Sequence, residues 1–194
     1  MRKNVMILAA NGQIARLVES RVLAEKEFAD VALTLFLRDT SRLQSLQDNP
    51  RVTLVEGDIT DETAVSAAMA GQELVFVAVV DHDQQNRLTK NVVAAMQTNH
   101  VSRVLFTNVL GIYNEVGGEF GRWNLKMIGA GMAPARRSDT LLVGSGLDYT
   151  TLRLPGHRLH GNDQGATLQW GFGFSGQRGR RGFKHNCRPY SLQS

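Results

Sequence analysis

Asn4-Val5-Met6-Ile7-Leu8-Ala9-Ala10-Asn11-Gly12-Gln13-Ile14-Ala15-Arg16-Leu17-Val18 is the stretch from which the architecture can be read. Val5-Met6-Ile7-Leu8 is a short apolar run, and Ile14, Leu17, Val18 and Val22 then recur at helical spacing. The pattern predicts a buried strand over 4–10, a tight turn and a helix over 14–25. A turn of this kind presents backbone N–H groups and the positive end of the helix to a phosphate. The spacing G-x-x-G-x-x-G of a pyrophosphate-binding turn stands here as Ala9-x-x-Gly12-x-x-Ala15. Gly12 keeps the position where a Cβ would hold a phosphate off the backbone, and Ala15 is small enough for helix and strand to pack closely. Ala9 is the costly departure, because the first glycine normally permits the turn. Ala9, Asn11, Gly12, Gln13 and Ile14 are the expected dinucleotide cradle.

Working outward, strand-like and helix-like segments alternate for most of the chain. Apolar runs at 31–37, 52–55, 74–80, 103–107 and 149–152 read as further strands. Helical spacing recurs from Ser41, from a Thr60 cap to Met69, over 84–99 and over 135–143, and the glycine-rich 111–121 reads as a loop. Strands joined by helical crossovers predict an α/β fold with a doubly wound parallel sheet, one domain over 1–155.

After Leu154-Pro155 the pattern stops. Residues 156–194 hold eight glycines and three of the five histidines, an irregular basic tail. Residues 1–152 carry 15 Lys+Arg against 17 Asp+Glu, and residues 153–194 carry 7 against 1, so the net charge of +4 belongs to the tail. Arg178, Arg180 and Arg181 before Phe183 are similar to an RNA-contacting segment. Composition favours disorder instead, or a reading frame shifted near codon 156. The near-neutral body gives no reason to expect nucleic acid. No apolar run is long enough to span a bilayer, and Asn11, Gln13 and Arg16 interrupt what Met1-Arg2-Lys3 and 5–10 begin as a signal-like segment. The single cysteine, Cys187, fits a reducing cytoplasm. Asp81-His82-Asp83 are adjacent and cannot all face one ion, so no metal is expected.

Ligands of a doubly wound sheet sit at the carboxyl ends of the strands. Arg38 follows the second strand and suits a 2′-phosphate, hence NADP; Asp39 behind it would suit the 2′-hydroxyl of NAD. Asp58 would either accept an adenine amino group, with Ile59 on the ring, or cap a helix. Ala78 and Val79 would line the cleft. Thr107 and Tyr113 lie where a nicotinamide or substrate would be met. Tyr113 would donate a proton if a cation lowered its pKa, and is otherwise structural.

With Ala9–Ala15, Arg38, Gly57-Asp58-Ile59, Leu105–Tyr113 and Ser145-Gly146-Leu147-Asp148-Tyr149-Thr150-Thr151-Leu152-Arg153, residues 3–155 resemble the NmrA-like, small NAD(P)H-binding group of atypical short-chain dehydrogenase/reductases. The last segment is similar to that group's SGLDYTILRP. The resemblance implies a Rossmann fold, a bound NAD(P) and, in many members, no known substrate. The YxxxK pair is missing: Tyr113, Tyr149 and Tyr190 are followed four residues on by Gly117, Arg153 and Ser194, and Lys126 has Arg122 before it. The serine usual at the end of the fifth strand stands as Thr107-Asn108. The expected function is an NADPH-dependent oxidoreductase on a small carbonyl, quinone or flavin-like acceptor, with a non-catalytic NAD(P) sensor as the alternative. A homodimer is compatible with either.

Overall fold

The computed structural model describes residues 2–154. Its sheet has six parallel strands: β1 (Lys3–Leu8), β2 (Val31–Leu37), β3 (Val52–Glu56), β4 (Leu74–Val77), β5 (Arg103–Val109) and β6 (Asp148–Leu154). Their order is β3-β2-β1-β4-β5-β6. β1 pairs on one side with β2, Leu8 against Phe36, and on the other with β4, Leu8 against Val77. The order therefore reverses between β1 and β4, the point where a crevice must open.

The helices are α1 (Gln13–Ala24), α2 (Glu62–Met69), α3 (Arg87–Thr98), α4 (Gly118–Ile128) and α5 (Met132–Gly144). α2, α3 and α5 pack one face of the sheet, where Val65, Met69, Val92, Met96 and Leu142 meet Met6, Leu8, Val75, Val77, Val104 and Phe106. α1 and the short 3-10 segments Lys26–Phe28 and Thr40–Leu46 lie on the other, against Ile7, Leu33, Leu35 and Phe76. Met6, Ile7 and Leu8 are all fully buried, as a strand covered on both faces must be. Each such side chain contributes about 1.5–3 kcal/mol.

Several element ends differ from the sequence reading. α2 is capped by Asp61, whose Oδ1 accepts from the N–H of Thr63 at 2.9 Å and of Ala64 at 3.1 Å, and not by Thr60. α3 starts at Arg87 because Asn86 adopts φ 51° before it. α4 is a correction: its glycines read as loop, yet residues 118–128 are helical. Its buried side chain is Asn124, whose Nδ2 donates to the Leu110 carbonyl at 2.8 Å, and Ile128 at its end packs against Val109, Ile112 and Met132. Phe120 stacks on Trp123 with ring centroids 5.6 Å apart, and both stay exposed. The readings made of residues 156–194 fall outside the described residues. Among the described residues no helix is long and apolar enough to cross a membrane.

Two features of the β1–α1 unit carry a cost. Ala9 sits at φ 60°, the left-handed conformation that a Cβ disfavours. Glu19 on the inner face of α1 is 2% exposed, and its Oε1 has no hydrogen-bond partner. Burial raises its pKa from 4.5 to about 7, against a smaller opposing pull from Arg16. The folded state thus holds the Glu19 proton more tightly than the unfolded chain. That contribution is full below pH 4.5 and is lost as pH rises toward 7, at about 1.4 kcal/mol per pH unit. Glu19→Gln is expected to flatten this slope and to raise the melting temperature at pH 8, measured by thermal melts across pH. Ala9→Gly is expected to stabilise by about 1 kcal/mol, read from urea midpoints.

Candidate cofactor cleft

β1 ends at Leu8, and the chain turns at Ala9-Ala10-Asn11 into Gly12, the N-cap of α1. The Gly12 N–H donates to the Ala9 carbonyl at 3.0 Å and closes the turn. A Cβ at Gly12 would lie 3.2 Å from that same carbonyl oxygen and 3.7 Å from that of Ala78, the residue after β4. Glycine is what lets two strand ends and a helix start meet here. No side chain caps α1, and no acidic residue stands in its first turn, so the positive helix end is uncompensated.

This turn is one wall of a cleft of about 790 Å³. Ala9, Asn11, Gly12, Arg38, Asp58, Ile59, Ala78 and Val79 all line it. Gln13 and Ile14 do not: they lie in the first turn of α1, behind Gly12. Thr107 is also absent from the wall. It is 2% exposed within β5, and its Oγ1 lacks a hydrogen-bond partner.

The rim at the end of β2 and β3 is charged. Asp39 accepts on Oδ1 from the N–H and hydroxyl of Ser41, at 3.2 and 2.6 Å, and on Oδ2 from Arg42 Nε at 3.2 Å. The Ser41 hydroxyl and Arg42 hold its carboxyl below the usual carboxylate range. Arg42 lines the cleft too, and was not singled out from sequence. Asp58 caps no helix. Its Oδ1 accepts from the N–H and hydroxyl of Thr60, at 2.8 and 2.7 Å, and these bonds, with Arg38 adding its charge, lower its pKa. Gly57 before it is required by packing, since a Cβ there would fall 2.5 Å from the Phe36 ring.

Tyr113 belongs to a different cluster. Its hydroxyl donates to Asp139 Oδ2 at 2.5 Å, and Thr151 donates to Asp139 Oδ1 at 2.7 Å. Arg153 stacks over the Tyr113 ring, 4.8 Å from its centroid, and pairs with Glu115 at 3.6 Å. The cation foreseen for Tyr113 is present, but the condition set for proton donation is not met. Burial and the bond to Asp139 outweigh Arg153 and push the phenol up to about 12. Asp139 was missed. Its signal was a carboxylate on the buried spacing of α5, between Ala135 and Leu142.

The residues on the wall fit a dinucleotide: a glycine at the closest backbone approach, an uncapped helix start, and arginines where the second strand ends. The NAD(P)H-binding family model matches residues 9–179. A short-chain dehydrogenase/reductase from Veillonella parvula DSM 2008, solved in complex with NADP, is similar with a TM-score of 0.71 and 26% identity, covering 79% of this chain and 69% of that one. A Rossmann-fold NAD(P)-binding family protein from Shigella flexneri is similar with a TM-score of 0.59 and 31% identity, covering 79% and 67%. An N-acetyl-alpha-D-glucosaminyl-diphospho-ditrans,octacis-undecaprenol 4-epimerase of Escherichia coli O157:H7 is 27% identical over 125 residues, 58% of this chain and 34% of that protein. The chain thus spans about a third of the length of that curated relative. Sequence, sheet order and cleft agree: the chain belongs to the NAD(P)H-binding family.

Proposed function

We propose that this chain is an NADPH-dependent oxidoreductase acting on a small carbonyl, quinone or flavin-like acceptor, of the NmrA-like atypical short-chain dehydrogenase/reductase kind. The rim after β2 carries this reading. Arg38 lines the cleft as an exposed cation, whereas the Asp39 carboxylate is engaged by Ser41 and Arg42. An arginine there suits a 2′-phosphate, and a carboxylate already bonded is a poorer acceptor for a 2′-hydroxyl. A similar protein solved with NADP supports the same preference.

In this reading Gly12 and the start of α1 hold the pyrophosphate, Arg38 the 2′-phosphate, Asp58 and Ile59 the adenine, and Ala78 and Val79 the middle of the cofactor. Reduced nicotinamide supplies a hydride when bound. The hydroxyl of Thr107, buried within β5 and without a hydrogen-bond partner, stands off the cleft wall and takes no part in this reading. With no YxxxK pair, the protein's part in turnover is positioning and exclusion of water.

The sensor reading has its own support, in Tyr113. A phenol that donates to a buried carboxylate and keeps its proton to about pH 12 is a weak acid catalyst. Calorimetric titration with NADPH, followed by a panel of quinones, flavins and aldehydes, separates the two. NADPH oxidation with any acceptor supports the enzyme, and tight binding without turnover supports the sensor. Arg38→Ala is expected to weaken NADPH at least about tenfold, the worth of one charge-assisted bond, and NADH by less than about twofold. Tyr113→Phe is expected to lower stability by about 1–3 kcal/mol while leaving NADPH affinity unchanged. Denaturation and titration of the same preparation check both.

A further inference from the structure

We propose that α4 pairs with α4 of a second copy of this chain, antiparallel about a two-fold axis near Trp123, so that the outward apolar stripe of each helix covers the other. The inference is independent of what the cleft holds.

α4 is amphipathic with its faces reversed. The residues it turns toward the fold are Gly121, Asn124 and Ile128, spaced i, i+3, i+7. Asn124 is buried and donates to the Leu110 carbonyl, Ile128 packs against Val109, Ile112 and Met132, and a Cβ at Gly121 would run into the Val116 carbonyl. The apolar residues follow the same spacing one position earlier, facing water. Phe120, Trp123 and Met127 are 47%, 43% and 58% exposed. Phe120 and Trp123 stack on each other, so the stripe is an ordered surface. With about half of each side chain exposed, the three offer on the order of 300 Å² of apolar area. A contiguous patch of that kind is commonly an interaction site.

The charges along the stripe decide which partner covers it. Glu119 and Lys126 stand seven residues apart, two helical turns, on one border of the stripe. An acid and a base thus hold equivalent positions on either side of the helix midpoint. Turning a second α4 end for end about Trp123 brings its Lys126 within about 1.5 Å, measured along the axis, of Glu119 in the first copy. The same operation sets Met127 beside Phe120 and Trp123 beside Trp123. By symmetry every off-axis contact forms twice. A parallel pair would instead set Glu119 on Glu119 and Lys126 on Lys126. A membrane surface would call for a basic border alone, and a border of one acid and one base carries no net charge to draw the basic residues 156–194. Glu119 is free to change partners. Its own contact with Arg122, 3.8 Å between side chains 96% and 74% exposed, is screened by water and weak. Two stripes cover about 600 Å² of apolar surface between them, the low end for a specific interface, so the dimer is reversible with a Kd in the micromolar range.

Sedimentation equilibrium of the full chain, over concentrations spanning that range, tests the pairing. The parent is expected to show a monomer–dimer equilibrium. Glu119→Lys or Lys126→Glu alone is expected to weaken it at least about tenfold, because like charges then meet twice. Glu119→Lys/Lys126→Glu together are expected to restore it to within about threefold of the parent. Trp123→Ser is expected to leave only monomer where the parent is half paired, with thermal melts checking that each variant is folded. A parent that stays monomeric throughout would overturn the proposal. So would a dimer indifferent to both Glu119→Lys and Trp123→Ser, which would pair through another surface. A double charge swap as weak as either single one would overturn the antiparallel arrangement.

Discussion

The left-handed turn at Ala9 is the constraint on which the functional half of the molecule depends. It lets the chain leave β1, reverse and enter α1 within four residues, at the place where strand order changes direction. A gentler path would carry the start of α1 away from the end of β4. The crevice between Gly12 and Ala78 would then not form, and the positive helix end would not face it. Alanine bears this conformation at a cost of about 1 kcal/mol relative to glycine. The buried strand on one side and the packed helix on the other hold it there, as strain at a functional turn is held by its surroundings.

Charge is divided between two regions at the carboxyl edge of the sheet. Around the ends of β2 and β3 the acids are engaged by hydroxyls and N–H groups, Asp39 by Ser41 and Asp58 by Thr60, and the arginines line the opening. That region is exposed and suits a charged ligand. Around β5, β6 and α5 the opposite holds. Asp139, Thr151 and Arg153 are largely buried, and Tyr113 closes over them. A network of this kind fixes the loop after β5 in place, and its worth is conformational as well as energetic.

Much of the fold was legible because its signals are local. Val31–Leu37 reads as a strand from its unbroken apolar run, and the structure gives the same bounds. The spacing of Leu88, Val92 and Met96 marks the buried face of α3. α4 was not legible, since its glycines lower helix propensity and its aromatic residues face outward, giving no core-facing period. Its buried side chain, Asn124, donates a hydrogen bond to the Leu110 carbonyl, fourteen residues away, and hydropathy does not encode such a contact.

By itself the sequence determined the parallel sheet, the turn into α1 and the residues at each strand end, because these follow from periodicity, glycine and the direction of the strands. Tertiary structure decided which of those residues share a cleft and what each already holds. Gln13, Ile14 and Thr107 stand off its wall, Arg42 joins it, and Asp39 is bonded to Arg42. Tyr113 faces Asp139 across twenty-six residues of sequence and keeps its proton. The physical reason is range. Backbone propensity acts over a few neighbours, whereas a pKa or a binding preference is set by charges and dipoles that only folding brings within a few ångströms.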